Sequence, residues 1–103
     1  MAITLFVVRA TITKEKEAAF NHWYNTDHAP KVLRFNGAVS ARRYKKVMGP
    51  DKYQYMAVYE FASEAAFEAF QKSDHLKTLR QEYDAEFGTT SERDAFAYTQ
   101  VWP

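Results

Sequence analysis

The sequence predicts a single α+β domain whose elements follow the order β-α-β-β-α-β. Four short runs are rich in β-branched and aromatic residues and indicate strands. Two longer segments carry apolar residues at helical spacing and indicate helices. The second and third strands are separated by a Gly-Pro-Asp turn at residues 49–51, which joins them as a hairpin. This is the ferredoxin-like order, with four antiparallel strands and the helices on one face.

Each element has its own boundary signal within the single domain, residues 1–103. The first strand is predicted over residues 3–12, and Thr13 is expected to cap the first helix. Ser63 and Ser73 are expected to cap the helices of the second half. The remaining elements are predicted as a strand at 38–47, a strand at 53–61, helices at 64–72 and 75–87, and a strand at 95–102.

The stretch WYNTDHAPKVLRFNG, residues 23–37, interrupts the first helical pattern. A residue that precedes proline is disfavoured in the α region, so the helix is expected to end near His28. Pro30 can begin a new turn, which predicts a short helical piece over residues 31–35. Gly37 would end that piece, because glycine tolerates left-handed backbone. His28 would then lie at a helix C-terminus, where the macrodipole favours its protonated form.

Both faces of the predicted sheet carry apolar side chains. In strand three, Tyr53, Tyr55, Ala57, Tyr59 and Phe61 alternate with Gln54, Met56, Val58 and Glu60. In strand four, Phe96, Tyr98 and Trp102 lie opposite Ala97 and Val101. A sheet that is apolar on both faces requires cover on both. Since the helices cover one face, the sequence predicts a homodimer through the open face.

Composition excludes several classes of function. The net charge is +1, with 14 basic and 13 acidic residues, so no strongly basic surface for nucleic acid is expected. Without cysteine there is no disulfide and no thiolate chemistry. No apolar run approaches the roughly 20 residues of a membrane helix, and the apolar N-terminus is interpreted as a strand rather than a signal peptide. A cytoplasmic protein with no membrane partner is expected. Aromatic residues make up 17% of the chain and favour a pocket or an interface.

The order of several short motifs resembles the EthD-like group of the dimeric α/β-barrel proteins. The matching residues are Phe20-x2-Trp23-Tyr24, His28-Ala29-Pro30, Asn36-Gly37, Ala41-Arg42-Arg43-Tyr44, Phe61-x-Ser63 and Asp84-x2-Phe87. The resemblance covers essentially the whole chain. It implies two four-stranded sheets that form a barrel, and a cleft between sheet and helices into which His28 points. The wider superfamily includes lactone isomerases, polyketide cyclases, cofactor-free monooxygenases and haem proteins, so the fold does not identify the reaction.

Four residues are the candidates for catalysis: His28, Tyr24, Tyr59 and Arg43. An unperturbed imidazole titrates near pH ~6.5 and can act as acid or base. Tyr24 precedes His28 by four residues and shares its helix face. Tyr24 or Tyr59 would orient a substrate oxygen, and an arginine of strand two would stabilise developing negative charge. The competing interpretation of His28 is a residue that caps free helix carbonyls.

A second group of residues is predicted to bind the substrate: Trp23, Tyr55, His75, Tyr98 and Arg42. Packing in the core or the dimer is the alternative for each tyrosine, and an exposed first-turn position is the alternative for His75. Arg42 and Arg43 point to opposite faces, so one is expected at the cleft and the other near Glu60. His22 is expected at the surface.

The leading hypothesis is a cofactor-independent enzyme that transfers protons on an aromatic, polyketide-like or lactone substrate, as isomerases and cyclases do. One alternative is a cofactor-free monooxygenase of phenols or quinols. Another is a non-catalytic accessory protein that binds a hydrophobic metabolite. The sequence shows neither a zinc-helix motif nor a glycine-rich phosphate loop, so no metal and no bound cofactor are expected.

Overall fold

The computed structural model describes residues 2–103 and contains one four-stranded antiparallel sheet. Its strands are β1 (Thr4–Ala10), β2 (Ala38–Lys45), β3 (Tyr55–Phe61) and β4 (Arg93–Thr99). They are arranged in the order β2-β3-β1-β4, with every neighbouring pair antiparallel. The predicted ferredoxin-like α+β fold is therefore confirmed.

Helical segments cover one face of this sheet. They are a 3₁₀ turn (Lys14–Lys16), α1 (Glu17–Trp23), a π-helical turn (Tyr24–His28), α2 (Ala29–Val32), α3 (Glu64–Gln71) and α4 (Asp74–Phe87). Ser63 and Ser73 cap α3 and α4 as expected, with hydroxyls that accept from the backbone N–H of Ala66 and Leu76 at 3.1 and 3.0 Å. The side chain of Thr13 makes no capping hydrogen bond, so that prediction was wrong. Thr13 instead is extended, and its backbone N–H donates to the Thr90 carbonyl.

The expected break before Pro30 does not occur. His28 and Ala29 both keep right-handed helical backbone, and the helix runs from Glu17 through Val32. The Ala29 N–H donates to the Tyr24 carbonyl, five residues back, and so forms a π-helical turn. This wider turn changes the bonding register at the point where Pro30 offers no N–H. His28 is thus an interior residue of a continuous helix.

The last strand also differs from its prediction. β4 begins at Arg93, two residues earlier than expected, and ends at Thr99. Gln100 makes one more backbone bond, to the Ile3 carbonyl, next to the start of β1. Val101 and Trp102 therefore lie beyond the strand and are 91% and 84% exposed.

The core is an aromatic layer between the helices and the sheet. Its fully buried large side chains are Phe20, Tyr59, Phe61, Phe70 and Tyr83. Alternation along each strand places Tyr55, Ala57, Tyr59 and Phe61 of β3 on this side. At about 25 cal/mol per Å² of apolar surface, burial of these rings is the main force that holds the helices on the sheet. Within residues 2–103, no helix covers the opposite face.

Gly37 permits a close approach between the chain that enters β2 and α3. Its φ is +100°, and a Cβ at this position would lie 2.7 Å from the Cβ of Ala66. Gly49 also has positive φ, +129°, but a Cβ there would meet only a lysine methylene at 4.0 Å.

Gly37→Ala is expected to lower the free energy of unfolding by about 2–3 kcal/mol, because it adds a backbone penalty and a steric clash. Gly49→Ala is the matched control and is expected to cost about 1 kcal/mol, because it adds the backbone penalty alone. Urea denaturation of both variants measures the difference. Equal losses for the two variants would contradict the proposed contact with Ala66.

Candidate functional site

A cavity of about 160 Å³ lies between the sheet and the helices. Its apolar wall is built from residues of four different elements: Phe6, Val8, Val32, Phe70, Leu76 and Leu79. Its polar and aromatic lining consists of Tyr24, His28, Tyr59 and Tyr83. Arg80, Asp94 and Ala95 also line the cavity and are solvent-exposed, so they mark its mouth. Arg93 lies beside them.

His28 is held in this cavity by aromatic neighbours. Its ring stacks on Trp23 with centroids 4.7 Å apart, and its edge meets Tyr24 at 4.9 Å and Tyr83 at 5.8 Å. The side chain is 8% exposed, and Nδ1 is buried without a hydrogen-bond partner in the part of the chain that the structure describes. Buried polar atoms are usually paired, so an unpaired imidazole nitrogen at a cavity favours a ligand or water as its partner.

The His28 imidazole is neutral at physiological pH. Burial, together with the nearby cation of Arg93, lowers its pKa from 6.5 to about 4. Asp27 opposes this shift but does not outweigh it. The prediction that His28 is protonated at a helix C-terminus was wrong. The helix continues past His28, so its terminal carbonyls lie elsewhere.

Tyr24 and Tyr59 contribute two buried phenols to the same cavity. Burial, together with the neighbouring Tyr83, raises the pKa of Tyr24 to about 12. Burial, together with the adjacent Tyr24 hydroxyl, raises the pKa of Tyr59 well above its usual value, and no hydrogen bond of good geometry satisfies the Tyr59 hydroxyl among residues 2–103. Both phenols therefore stay protonated at neutral pH and can donate hydrogen bonds.

Arg43 supports this group from outside the cavity. Its guanidinium lies over the Tyr24 ring at 4.3 Å, and its Nη1 donates to Asn25 Oδ1 at 2.9 Å. Arg42 points to the other face of the sheet, where it pairs with Glu60 at 3.0 Å. The structure thus decides which of the two arginines faces the helices, a choice that the sequence left open.

None of the five residues predicted to bind substrate lines this cavity. Trp23 adjoins it through its stacking on His28, and Tyr55, Tyr98 and Arg42 lie away from it. The Tyr55 hydroxyl is bonded to Asn21 and Glu17, and its ring packs on Phe20. Tyr98 is 51% exposed and lies on the open face of the sheet, across from His28. Arg42 shares that open face. Alternation of the strands places Tyr98 and Arg42 on the open face, whereas Tyr55 faces the helices but lies outside the cavity lining.

His75 has the capping role that was considered for His28. Its Nε2 lies 2.7 Å from the Lys31 carbonyl and donates to it, because a carbonyl oxygen only accepts. That carbonyl lies near the C-terminal end of α2, where it also accepts the Arg34 backbone N–H at 3.2 Å. The His75 ring also packs on Phe35 at 5.8 Å. His75 therefore joins α4 to α2 and is not part of the cavity lining.

Sequence reasoning missed Tyr83, Arg80 and Arg93 as site residues. Tyr83 was recognised only as part of the apolar stripe of the last helix, although that stripe faces the cavity. Its hydroxyl donates to Ser91 at 2.6 Å, since Ser91 itself donates to the Thr11 carbonyl. Arg93 was missed because the last strand was predicted to begin at residue 95. Alternation with Ala95 and Ala97 would have placed it on the helix side.

Neither a metal site nor a membrane span is found in the described chain. Within residues 2–103, no three His, Asp or Glu side chains are grouped closely enough to hold a metal ion. None of the helices there has the length and apolar character needed to cross a membrane.

The chain matches the profile of one known protein family. The profile of a domain of unknown function, DUF4286, matches residues 3–94. The chain belongs to the DUF4286 family. That description assigns no activity, and a search of curated proteins returns no match.

Several solved structures are similar in fold to this DUF4286 protein. An EthD family protein from Bacillus halodurans has a TM-score of 0.73 at 16% identity, covering 98% of this chain and 100% of the other. A DABB family protein with a ferredoxin-like fold from Mesorhizobium loti has a TM-score of 0.74 at 13% identity, covering 99% and 100%. SnoaB from Streptomyces nogalater, a cofactor-independent oxygenase, has a TM-score of 0.60 at 18% identity, covering 98% and 95%. The resemblance to EthD-like proteins is thus confirmed at the level of the fold.

Because the imidazole is buried in its neutral form, the free energy of unfolding depends on pH. The folded-state pKa of His28 is below the unfolded value of 6.5, so the unfolded chain binds the proton first. This contribution to stability is present above pH 6.5 and is lost as the pH falls towards about 4. It amounts to roughly 3 kcal/mol.

His28→Gln is expected to flatten the decline of unfolding free energy over this pH range, because glutamine does not titrate. His22→Gln, at an exposed position of the same helix, is the control and is expected to keep the wild-type slope. Urea titrations at intervals from pH 7.5 to about pH 4 measure both. Parallel curves for wild type and His28→Gln would show that His28 is not buried in its neutral form.

Proposed function

We propose that this protein is a small enzyme that transfers protons on an aromatic, polyketide-like or lactone substrate in the helix-side cavity. One observation carries the proposal: an imidazole with an unpartnered nitrogen and two protonated phenols line the same apolar cavity. A neutral imidazole can accept a proton, and protonated phenols can donate hydrogen bonds to a carbonyl. This pairing of one base with two donors suits enolisation.

The proposed step begins with a C–H bond next to a substrate carbonyl. His28 takes this proton, and the electron pair of the bond moves into the carbonyl to form an enolate. Tyr24 and Tyr59 stabilise the enolate oxygen by hydrogen bonds. The imidazolium then returns the proton to another carbon, which completes an isomerisation without any redox change.

The low pKa of His28 suits a base that works only when substrate is present. An imidazole with a pKa of about 4 is a weak base in the empty cavity. Developing negative charge on the enolate favours the protonated imidazole and raises its pKa during the reaction. Arg43 would support catalysis indirectly by holding Tyr24 in position, because its guanidinium covers the Tyr24 ring at 4.3 Å.

The open face of the sheet supports a homodimer as the working form. Within residues 2–103 it presents the apolar side chains of Leu5, Tyr44, Met56, Val58, Phe96 and Tyr98, with charged residues such as Arg42 and Glu60 among them. Apolar patches of this kind mark interaction sites, and a second copy offers the same patch through twofold symmetry. A dimeric ferredoxin-like protein from Bacteroides fragilis is among the structural relatives, with a TM-score of 0.65.

A cofactor-free monooxygenase is the second candidate. SnoaB is described as a cofactor-independent oxygenase, and a protein from Shewanella loihica, at a TM-score of 0.62, as a putative monooxygenase. In this protein His28 would deprotonate a phenol or quinol, and O2 would then oxidise the resulting anion. Oxygen uptake with dihydroxyaromatic compounds would favour this candidate over isomerisation.

His28→Gln is expected to reduce turnover by about 10²–10⁴-fold, because the proton acceptor is lost. The assay follows solvent deuterium exchange into a panel of aromatic ketones and unsaturated lactones by NMR, with oxygen uptake recorded in parallel. His22→Gln is the matched control and should retain full activity.

The pH profile of wild-type kcat/KM gives a second readout. Its acid limb is expected near pH 4 rather than near 6.5, since kcat/KM reports the pKa of the free enzyme. Full exchange activity in a folded His28→Gln variant would overturn the assignment. Ligand binding without exchange or oxygen uptake across the panel would favour the accessory-protein alternative.

Tyr98→Lys is expected to weaken the dimer by at least tenfold in Kd, because a charge would be buried in an apolar interface. Val47→Lys is the control, since Val47 is 98% exposed in the connection between β2 and β3. Sedimentation over a range of concentrations measures both association constants. A monomeric wild type, or equal association of the two variants, would contradict dimerisation through this face.

A further inference from the structure

Two arginines, Arg80 and Arg93, lie at the mouth of the helix-side cavity and have unused hydrogen-bond donors. Arg93 uses Nη1 for Asp84 at 2.8 Å, and its guanidinium covers the Tyr83 ring at 4.0 Å. In the part of the chain that the structure describes, Arg80 makes a single long contact, 3.5 Å, from Nη2 to the Gln71 amide oxygen. Each guanidinium offers five N–H donors, so most of them remain available at the mouth.

The nearby carboxylates do not neutralise this positive end of the cavity. Asp94 lines the mouth, but strand alternation places its side chain on the open face, where it accepts a hydrogen bond from Tyr53. Asp27 and Glu82 are both paired with Lys31, each at 3.1 Å. Among residues 2–103, Asp84 is the only carboxylate paired with a mouth arginine, and its side chain is 63% exposed.

The interior limits the size and shape of a ligand. A cavity of about 160 Å³ has the size that accommodates one benzene ring, since engineered cavities of about 150 Å³ bind benzene. Phe6 and Phe70 on one side and Leu76 and Leu79 on another favour an apolar ring. The cavity is thus apolar inside and cationic at its entrance.

We propose that the ligand is a small aromatic carboxylate, with its ring in the cavity and its carboxylate between Arg80 and Arg93. This proposal rests on the proposed function only in using the same cavity as the ligand site. A guanidinium recognises a carboxylate by paired, charge-assisted hydrogen bonds. The ring then lies beside His28 and the two phenols, which positions a ring hydroxyl or a ring carbonyl for proton transfer.

The carboxylate also complements the electrostatics around His28. Arg93, Lys31 and Arg43 all lower the pKa of His28, which indicates a positive potential at the imidazole. An anion at the mouth reduces that potential. Binding of such an anion therefore makes the imidazole a stronger base when the cavity is occupied.

Benzoate and benzamide test the proposal, because they share a planar shape and differ in charge. Binding to the full-length protein at pH 7.5 is measured by NMR titration, with the Tyr24 and His28 resonances as markers of cavity occupancy. Benzoate is expected to bind about tenfold more tightly than benzamide, the size expected of one charge-assisted hydrogen bond. Arg80→Gln is expected to weaken the binding of benzoate by about tenfold and to leave the binding of benzamide unchanged.

Arg34→Gln is the matched control, since it removes the same charge from an exposed position outside the cavity lining. Unchanged benzoate affinity in Arg34→Gln supports recognition at the mouth. Equal affinity for benzoate and benzamide, or equal losses in Arg80→Gln and Arg34→Gln, overturns the anionic substrate class and leaves the cavity as a ligand site. No perturbation of Tyr24 or His28 by either compound overturns this proposal together with the cavity site of the proposed function.

Discussion

Pro30 lacks the backbone N–H that a continuous α-helix needs, and yet the helix from Glu17 passes through it to Val32. It does so because the Ala29 N–H reaches back five residues to the Tyr24 carbonyl. The extra residue in this turn rotates the following side chains relative to the preceding ones. Trp23, Tyr24 and His28 form one ring cluster in this stretch, with the His28 ring 4.7 Å from Trp23 and 4.9 Å from Tyr24. The position of the imidazole, and with it the candidate site, depends on this local change in bonding pattern.

Packing then converts this position into an unusual chemical state. The rings of Trp23, Tyr24 and Tyr83 surround His28 and exclude water. Desolvation outweighs the attraction of Asp27, so the imidazole is neutral. The same exclusion of water keeps the Tyr24 and Tyr59 phenols protonated. One aromatic layer thus stabilises the fold and determines which groups in the cavity carry a proton.

The two ends of the cavity have different physical characters. The closed end is apolar and carries neutral polar groups whose hydrogen-bonding capacity is partly unused. The mouth carries guanidinium groups that remain close to solvent. A ligand that is apolar at one end and anionic at the other matches both regions. This polarity of the cavity is a stronger guide to its substrate than the fold, because structural relatives below 20% identity share the architecture without sharing a stated activity.

Most of the fold was predictable because each strand and helix carries local information. The serine caps at Ser63 and Ser73, the positive φ at Gly37 and the alternation of β3 all follow from short-range stereochemistry. His28 and Tyr24 were recognisable as partners for the same reason, since residues four apart share a helix face. The predicted break at Pro30 was wrong because the pre-proline preference is a bias rather than a prohibition, and the π-helical turn at Tyr24–His28 carries the helix through Pro30.

The sequence by itself determined the order of the elements, the apolar character of both sheet faces and the candidacy of His28. Tertiary structure alone decided that His75, rather than His28, caps a carbonyl of α2, and that Arg43 rather than Arg42 faces the helices. It also decided that Tyr98 lies opposite the cavity and that Arg80 and Arg93 form its mouth. These outcomes depend on strand register and on contacts between residues far apart in the chain. Local propensity carries no information about either, because register and long-range contacts are set by how the whole aromatic layer packs.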